Sequence, residues 1–166
     1  MTDKNVSIMN IGSMGYLPQV FKKIENEKKL NIVYLGGSIT MGCNATKTEL
    51  RYVDRSAKWW QTNFPDAEIS YFNAGIGATT SQFGVARVQE HVLDKQPDLV
   101  FVEFSVNDSS SPLFMETYES LVRRLLKAES VKAVVLINNL FYDTGTNAQG
   151  IHNAILSLIH ISEPTR

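Results

Sequence analysis

Leu30-Asn31-Ile32-Val33-Tyr34-Leu35, followed by Gly36-Gly37-Ser38-Ile39-Thr40-Met41-Gly42, is the stretch on which the fold turns. The first six residues form a short, largely apolar run with two β-branched residues at its centre, the composition of a strand buried on both faces. Two glycines let the backbone leave the strand sharply, so Ser38 is expected to project at the strand tip. A serine there is either a nucleophile, if a base is near, or a residue that caps the following turn. A phosphate cradle is not supported, because the Gly-x4-Gly-Lys-[Ser/Thr] spacing is absent.

Working outward, the same grammar recurs. Glu68 to Phe72 is a second, weaker run that ends in Asn73-Ala74-Gly75. Asp98 to Phe104 is a third, ending in Ser105-Val106-Asn107-Asp108, and Lys132 to Asn138 is a fourth. Helical spacing fills the intervals. Val53, Ala57, Trp60 and Phe64 form one stripe, and Val85, Val88 and Val92 another. Tyr118, Leu121, Val122, Leu125 and Leu126 form a third, with Ser111 as expected N-cap and Pro112 in the first turn. An earlier helix is expected around Leu17, Val20, Phe21 and Ile24, and a last one around Ala148, Ile151 and Ile155. Strands alternating with helices imply right-handed crossovers and a parallel sheet between two helix layers, a three-layer α/β/α fold. In such folds chemistry gathers beyond the carboxyl ends of the strands.

Composition sets the outer bounds. The chain has 166 residues, 43% of them apolar and 20% charged, as in one ordinary globular domain. Sixteen basic and 17 acidic residues give a formal charge of −1, with no basic run, which argues against a nucleic-acid or anionic-membrane partner. Ala133 to Ile137, the longest apolar core run, is far short of the roughly 18 residues of a membrane span. The single cysteine, Cys43, reads as a small buried residue, and no Cys/His cluster has metal-ligand spacing. Neither a cofactor nor a metal is expected. Met1-Thr2-Asp3-Lys4 lacks the layout of a secretory signal, so the chain reads as cytoplasmic by default.

Three strand-end loops therefore hold the candidate chemistry. Beside Ser38, the loop from Asn73 to Ser81 carries Gly75 and Gly77, which either admit a reacting atom close to the main chain or only serve the turn. The Asn107 side chain offers two amide donors, suited to an oxyanion, or else marks an Asn-Asp turn. Taken in order, Gly37-Ser38-Ile39, Asn73-Ala74-Gly75 and Val106-Asn107-Asp108 resemble the serine, glycine and asparagine blocks of the SGNH hydrolases, the GDSL-type esterases and lipases. The resemblance runs from about Leu30 to about His152. Gly37 stands where the family name has Asp, and Gly-Gly-Ser-Ile-Thr resembles a known variant of that block.

That resemblance implies a flavodoxin-like strand order, 2-1-3-4-5, and an ester hydrolase for small acyl or acetyl esters of carbohydrate or lipid. It implies Ser38 as the catalytic nucleophile and an oxyanion hole made of the Ser38 and Gly75 amides with the Asn107 carboxamide. The competing class is a non-catalytic domain that holds a small anion such as phosphate in the same loops. The family's base lies in a C-terminal Asp-x-x-His block, and no Asp-x-x-His occurs in this chain. His91 reads as a solvated helix residue; His152 and His160 lack an Asp three residues earlier. Leu156 to Arg166 resembles a translated sequencing-adapter tail. The expectation is therefore one domain over residues 1–155, a non-native tail over 156–166, and a fourth strand left at an open, association-prone edge by loss of the fifth. Trp60 is expected in the core and Trp59 partly exposed. Phe141 and Tyr142 are candidates for an acyl or sugar pocket, Asp143-Thr144-Gly145 for a turn, and Glu103 is a strand carboxylate without an assigned role.

Overall fold

The computed structural model describes residues 15–109 and 111–139. Four strands form one parallel sheet: β1 (Lys29–Gly36), β2 (Glu68–Gly75), β3 (Leu99–Glu103) and β4 (Ala133–Leu136). Their order across the sheet is β2-β1-β3-β4, which puts β1 at the centre and agrees with the flavodoxin-like order. Among the described residues β4 is an outer strand. The expected helix at 148–155 and the tail, together with Phe141, Tyr142, Asp143-Thr144-Gly145, His152 and His160, lie outside the described residues.

Helices cover both faces, as the apolar periodicity predicts. On one side lie α1 (Leu17–Glu27) and α3 (Tyr52–Asn63), closing a cluster of Val20, Ile24, Leu30, Ile32, Tyr34, Val53 and Trp60. On the other lie α4 (Ser81–His91) and α5 (Pro112–Leu126), packed on Val33, Leu35, Val100, Val102 and Phe104. The residues of β1 alternate between the two clusters, so both of its faces are buried and its run is almost wholly apolar. The weaker signal of β2 has the complementary cause: it is an edge strand, half exposed, with Tyr71 and Phe72 reaching solvent. Trp60 is buried and Trp59 is 52% exposed, as the helical stripe implies.

One local expectation needs correction, the burial of Cys43, and two local details qualify the expected turn at Ser38 and cap at Ser111. Ser38 opens not a bare turn but a single helical turn, α2 (Ser38–Met41), which Gly42 ends in a left-handed conformation. That early unwinding carries Cys43 outward, and it is exposed rather than buried. Ser111 occupies the N-cap position of α5, but its side chain makes no cap bond there.

Candidate functional site

The site is built by register. Gly36 lies opposite Gly75 on β2 and opposite Glu103 on β3, so the three strands end together and hand the chain to three adjacent loops. Gly37 N–H donates to Glu103 O at 3.2 Å, which aims the Ser38 turn over the sheet end. The turn then packs so closely on β2 that a Cβ on Gly75 would collide with the Met41 amide and the Thr40 carbonyl carbon. Only glycine fits at that contact.

Asn107 approaches from the other side. A Cβ on Gly37 would lie 3.4 Å from both Asn107 Nδ2 and Thr79 O, and Asn107 Nδ2 donates to that same Thr79 O at 2.8 Å. The Ser38 turn is thus flanked by Gly75 on one side and by Asn107 on the other. Ser38 is half-buried, and neither its hydroxyl nor its N–H makes a hydrogen bond among the described residues. One N–H of the Asn107 amide is spoken for and the other is spare.

Gly75 differs from its expected state. Its single N–H donates to Asn73 Oδ1 at 2.9 Å, so what it supplies here is the close contact with α2 rather than an open donor. Two residues on, the Gly77 and Ala78 amides make no hydrogen bond among the described residues. Ala78 holds φ at +56°, a left-handed conformation that a non-glycine residue keeps only when its surroundings over-determine it.

Several positioning residues were not assigned a role from sequence. Asn73 bridges two loops, accepting from Gly75 and donating Nδ2 to Thr40 O at 2.8 Å. Asp108 Oδ1 accepts the Ser81 N–H at 2.9 Å, so the start of α4 is capped from β3's loop rather than by Thr80 or Ser81. Asp108 Oδ2 is buried without a partner, and burial pushes the carboxyl's pKa above its ordinary range. Glu103 is fully buried; its Oε1 accepts from Ser105 Oγ, which in turn accepts the Asn139 N–H beyond β4. Its pKa is also raised by burial, against hydrogen bonds from the Ser105 hydroxyl and the Ser105 and Val106 amides. Arg87 reaches from α4 to Gly36 O and Ala74 O, and burial holds its guanidinium below the usual arginine range. The sequence stripe of Val85, Val88 and Val92 did not include Arg87, which shares the buried face of α4 with Ser81, Gly84 and Val88.

His91 is half-buried, and its Nδ1 faces Arg87 Nη1 at 3.3 Å, one helical turn further from the sheet end. It is the only histidine among the described residues, and no group of three or more potential metal ligands occurs among them. No helix among them is long and apolar enough to cross a membrane.

A parallel sheet with a serine turn, a glycine contact and an asparagine amide gathered at its carboxyl end defines the class, and comparison with known proteins agrees. The chain belongs to the GDSL-like lipase/acylhydrolase family, whose pattern matches residues 34–156. Among solved structures it is similar to a two-domain esterase active on acetylated mannans, at 48% identity and TM-score 0.83, over 89% of this chain and 40% of that one. It thus spans well under half the length of that relative. An acetylxylan esterase from Geobacillus stearothermophilus shares the fold at 19% identity and TM-score 0.64, over 80% of this chain and 72% of that one. The esterase AlinE4 does so at 19% identity and TM-score 0.64, over the same shares. No curated protein gives a significant match.

Proposed function

We propose that this chain is the core of a serine esterase that removes small acyl groups, acetyl above all, from carbohydrate. Ser38 attacks the ester carbonyl. The Ser38 N–H and the spare N–H of Asn107 receive the oxyanion, which is stabilised because these donors are held in place before charge develops. The β2 loop supplies the third donor. Gly75 fills that role by exchanging Asn73 Oδ1 for the oxyanion; otherwise the open amides of Gly77 or Ala78 stand next to it. The observation that carries the reading is the placement of the Ser38 turn between Gly75 and Asn107. The 48% identity to an esterase active on acetylated mannans supports an O-acetylated polysaccharide as substrate. The described residues offer no base to Ser38, and the base is not assigned to any of them.

The test is covalent labelling of the natural protein, expressed from its gene, with a fluorophosphonate. Ser38 should be the labelled residue by peptide mass, Ser38→Ala should abolish labelling, and acetate should be released from acetylated mannan. A folded natural protein that takes no label and releases no acetate would overturn the esterase reading and favour a domain that only binds an anion.

A further inference from the structure

We propose that Arg87 is a positioning residue that locks the tips of β1 and β2 in the one arrangement in which the Ser38 turn and the β2 loop meet. Arg87 is 6% exposed. Its Nη1 donates to Ala74 O at 2.6 Å and its Nη2 to Gly36 O at 3.1 Å. Those carbonyls belong to the residues immediately before Gly75 and Gly37. The Gly36 carbonyl also accepts the Ile76 N–H at 3.1 Å, so β1, the β2 loop and α4 are tied at a single oxygen.

The environment of the guanidinium sets it apart from an ordinary structural arginine. No carboxylate lies within ion-pair distance of it among the described residues. Its Nε is buried without a partner, and its remaining neighbours are His91 Nδ1 and the Phe83 ring, 5.7 Å away. A buried cation without a counter-ion is expensive, and an apolar side chain would fill the same face of α4 at less cost. What the arginine adds is its planar fork, with two amino groups spaced to reach carbonyls on neighbouring strands. A lysine, a single point charge, cannot span both.

The consequence for catalysis rests on the proposed esterase function; the lock itself does not. Arg87→Met and Arg87→Lys separate the two. Amide hydrogen exchange should accelerate at Ile76 and Gly37 by about tenfold or more in Arg87→Met, the loss expected from two charge-assisted bonds. Amides inside the β1–β3 ladder should stay as protected as in the wild type, and Arg87→Lys should fall between. In the natural protein, Arg87→Met should slow the reaction step of Ser38 phosphonylation while leaving probe binding nearly unchanged, with partial rescue in Arg87→Lys. The lock is overturned if Ile76 and Gly37 keep wild-type protection, or if all amides accelerate by one factor, as simple loss of stability would produce. Equal reaction steps in wild type and Arg87→Met overturn its catalytic consequence. If wild-type Ser38 never reacts while Ile76 and Gly37 loosen as expected, the esterase reading fails and the lock stands.

Discussion

The two ends of the sheet treat buried charge in opposite ways. At the amino end, Asp98 is almost fully buried and fully partnered. Its carboxylate accepts the Asn31 N–H at 2.9 Å and faces Lys23 Nζ at 3.0 Å, while its carbonyl takes the Lys132 and Ala133 amides. At the carboxyl end, among the described residues, Arg87 has no counter-ion, Asp108 keeps an oxygen without a partner, and Glu103 accepts from the neutral Ser105 hydroxyl. Charge that closes on itself serves the fold. Charge left incomplete costs stability and is retained where a site needs polar groups held ready.

The largest effect that would test this contrast is Asn107→Ala. It removes one donor beside Ser38 and should slow phosphonylation of Ser38 about 100- to 1,000-fold, the range for a lost oxyanion donor. The melting temperature should move little, since the amide's one hydrogen bond among the described residues is to a loop carbonyl. Asp98→Ala should do the reverse. Breaking this pair leaves the Asn31 N–H without its acceptor, while Lys23 keeps Glu27 at 3.0 Å, so the cost is about 2 kcal/mol, the range for an orphaned buried donor. For a chain of this size that lowers the melting temperature by roughly 4–8 °C in calorimetry. The reaction rate per folded molecule should be unchanged. If Asp98→Ala instead depressed reactivity while leaving stability intact, the division of labour between the two ends would be lost.

The same contrast explains what the sequence disclosed. The layered fold was legible because β1, β3 and β4 are apolar runs and the helix stripes alternate with them. The positions of Ser38 and Asn107 beyond the ends of β1 and β3 were legible because each lies within four residues of the end of an apolar run. Gly75 was legible as a close-approach glycine, but its amide's bond to Asn73 Oδ1 was not, since that bond is a local choice between two donors and one acceptor. Arg87 escaped because the periodic signal of α4 followed Val85, Val88 and Val92, whereas the buried face runs through Ser81, Gly84, Arg87 and Val88. Hydrophobic pattern cannot show a cation that is buried by carbonyls fifty-one and thirteen residues away. Nor could it show Cys43 exposed, because that follows from α2 ending at Gly42 in a left-handed conformation, which a hydrophobic pattern does not mark.

Glu103 gives the smallest test and a signed one. Burial lifts its carboxyl above the ordinary value of 4.5, so the folded chain holds this proton to higher pH than the unfolded chain does. The folded state then binds more protons, and stability falls as pH rises through that window. Its contribution is greatest below the ordinary value and declines towards neutral pH. Glu103→Gln carries no charge at any pH, so the melting temperature of the variant minus that of the wild type should increase as pH rises from 4.5 towards neutral. A difference that stayed flat or shrank would mean that Ser105 and the Val106 amide satisfy the carboxylate as fully as Lys23 and Asn31 satisfy Asp98. The carboxyl end of the sheet would then be no less complete than the amino end.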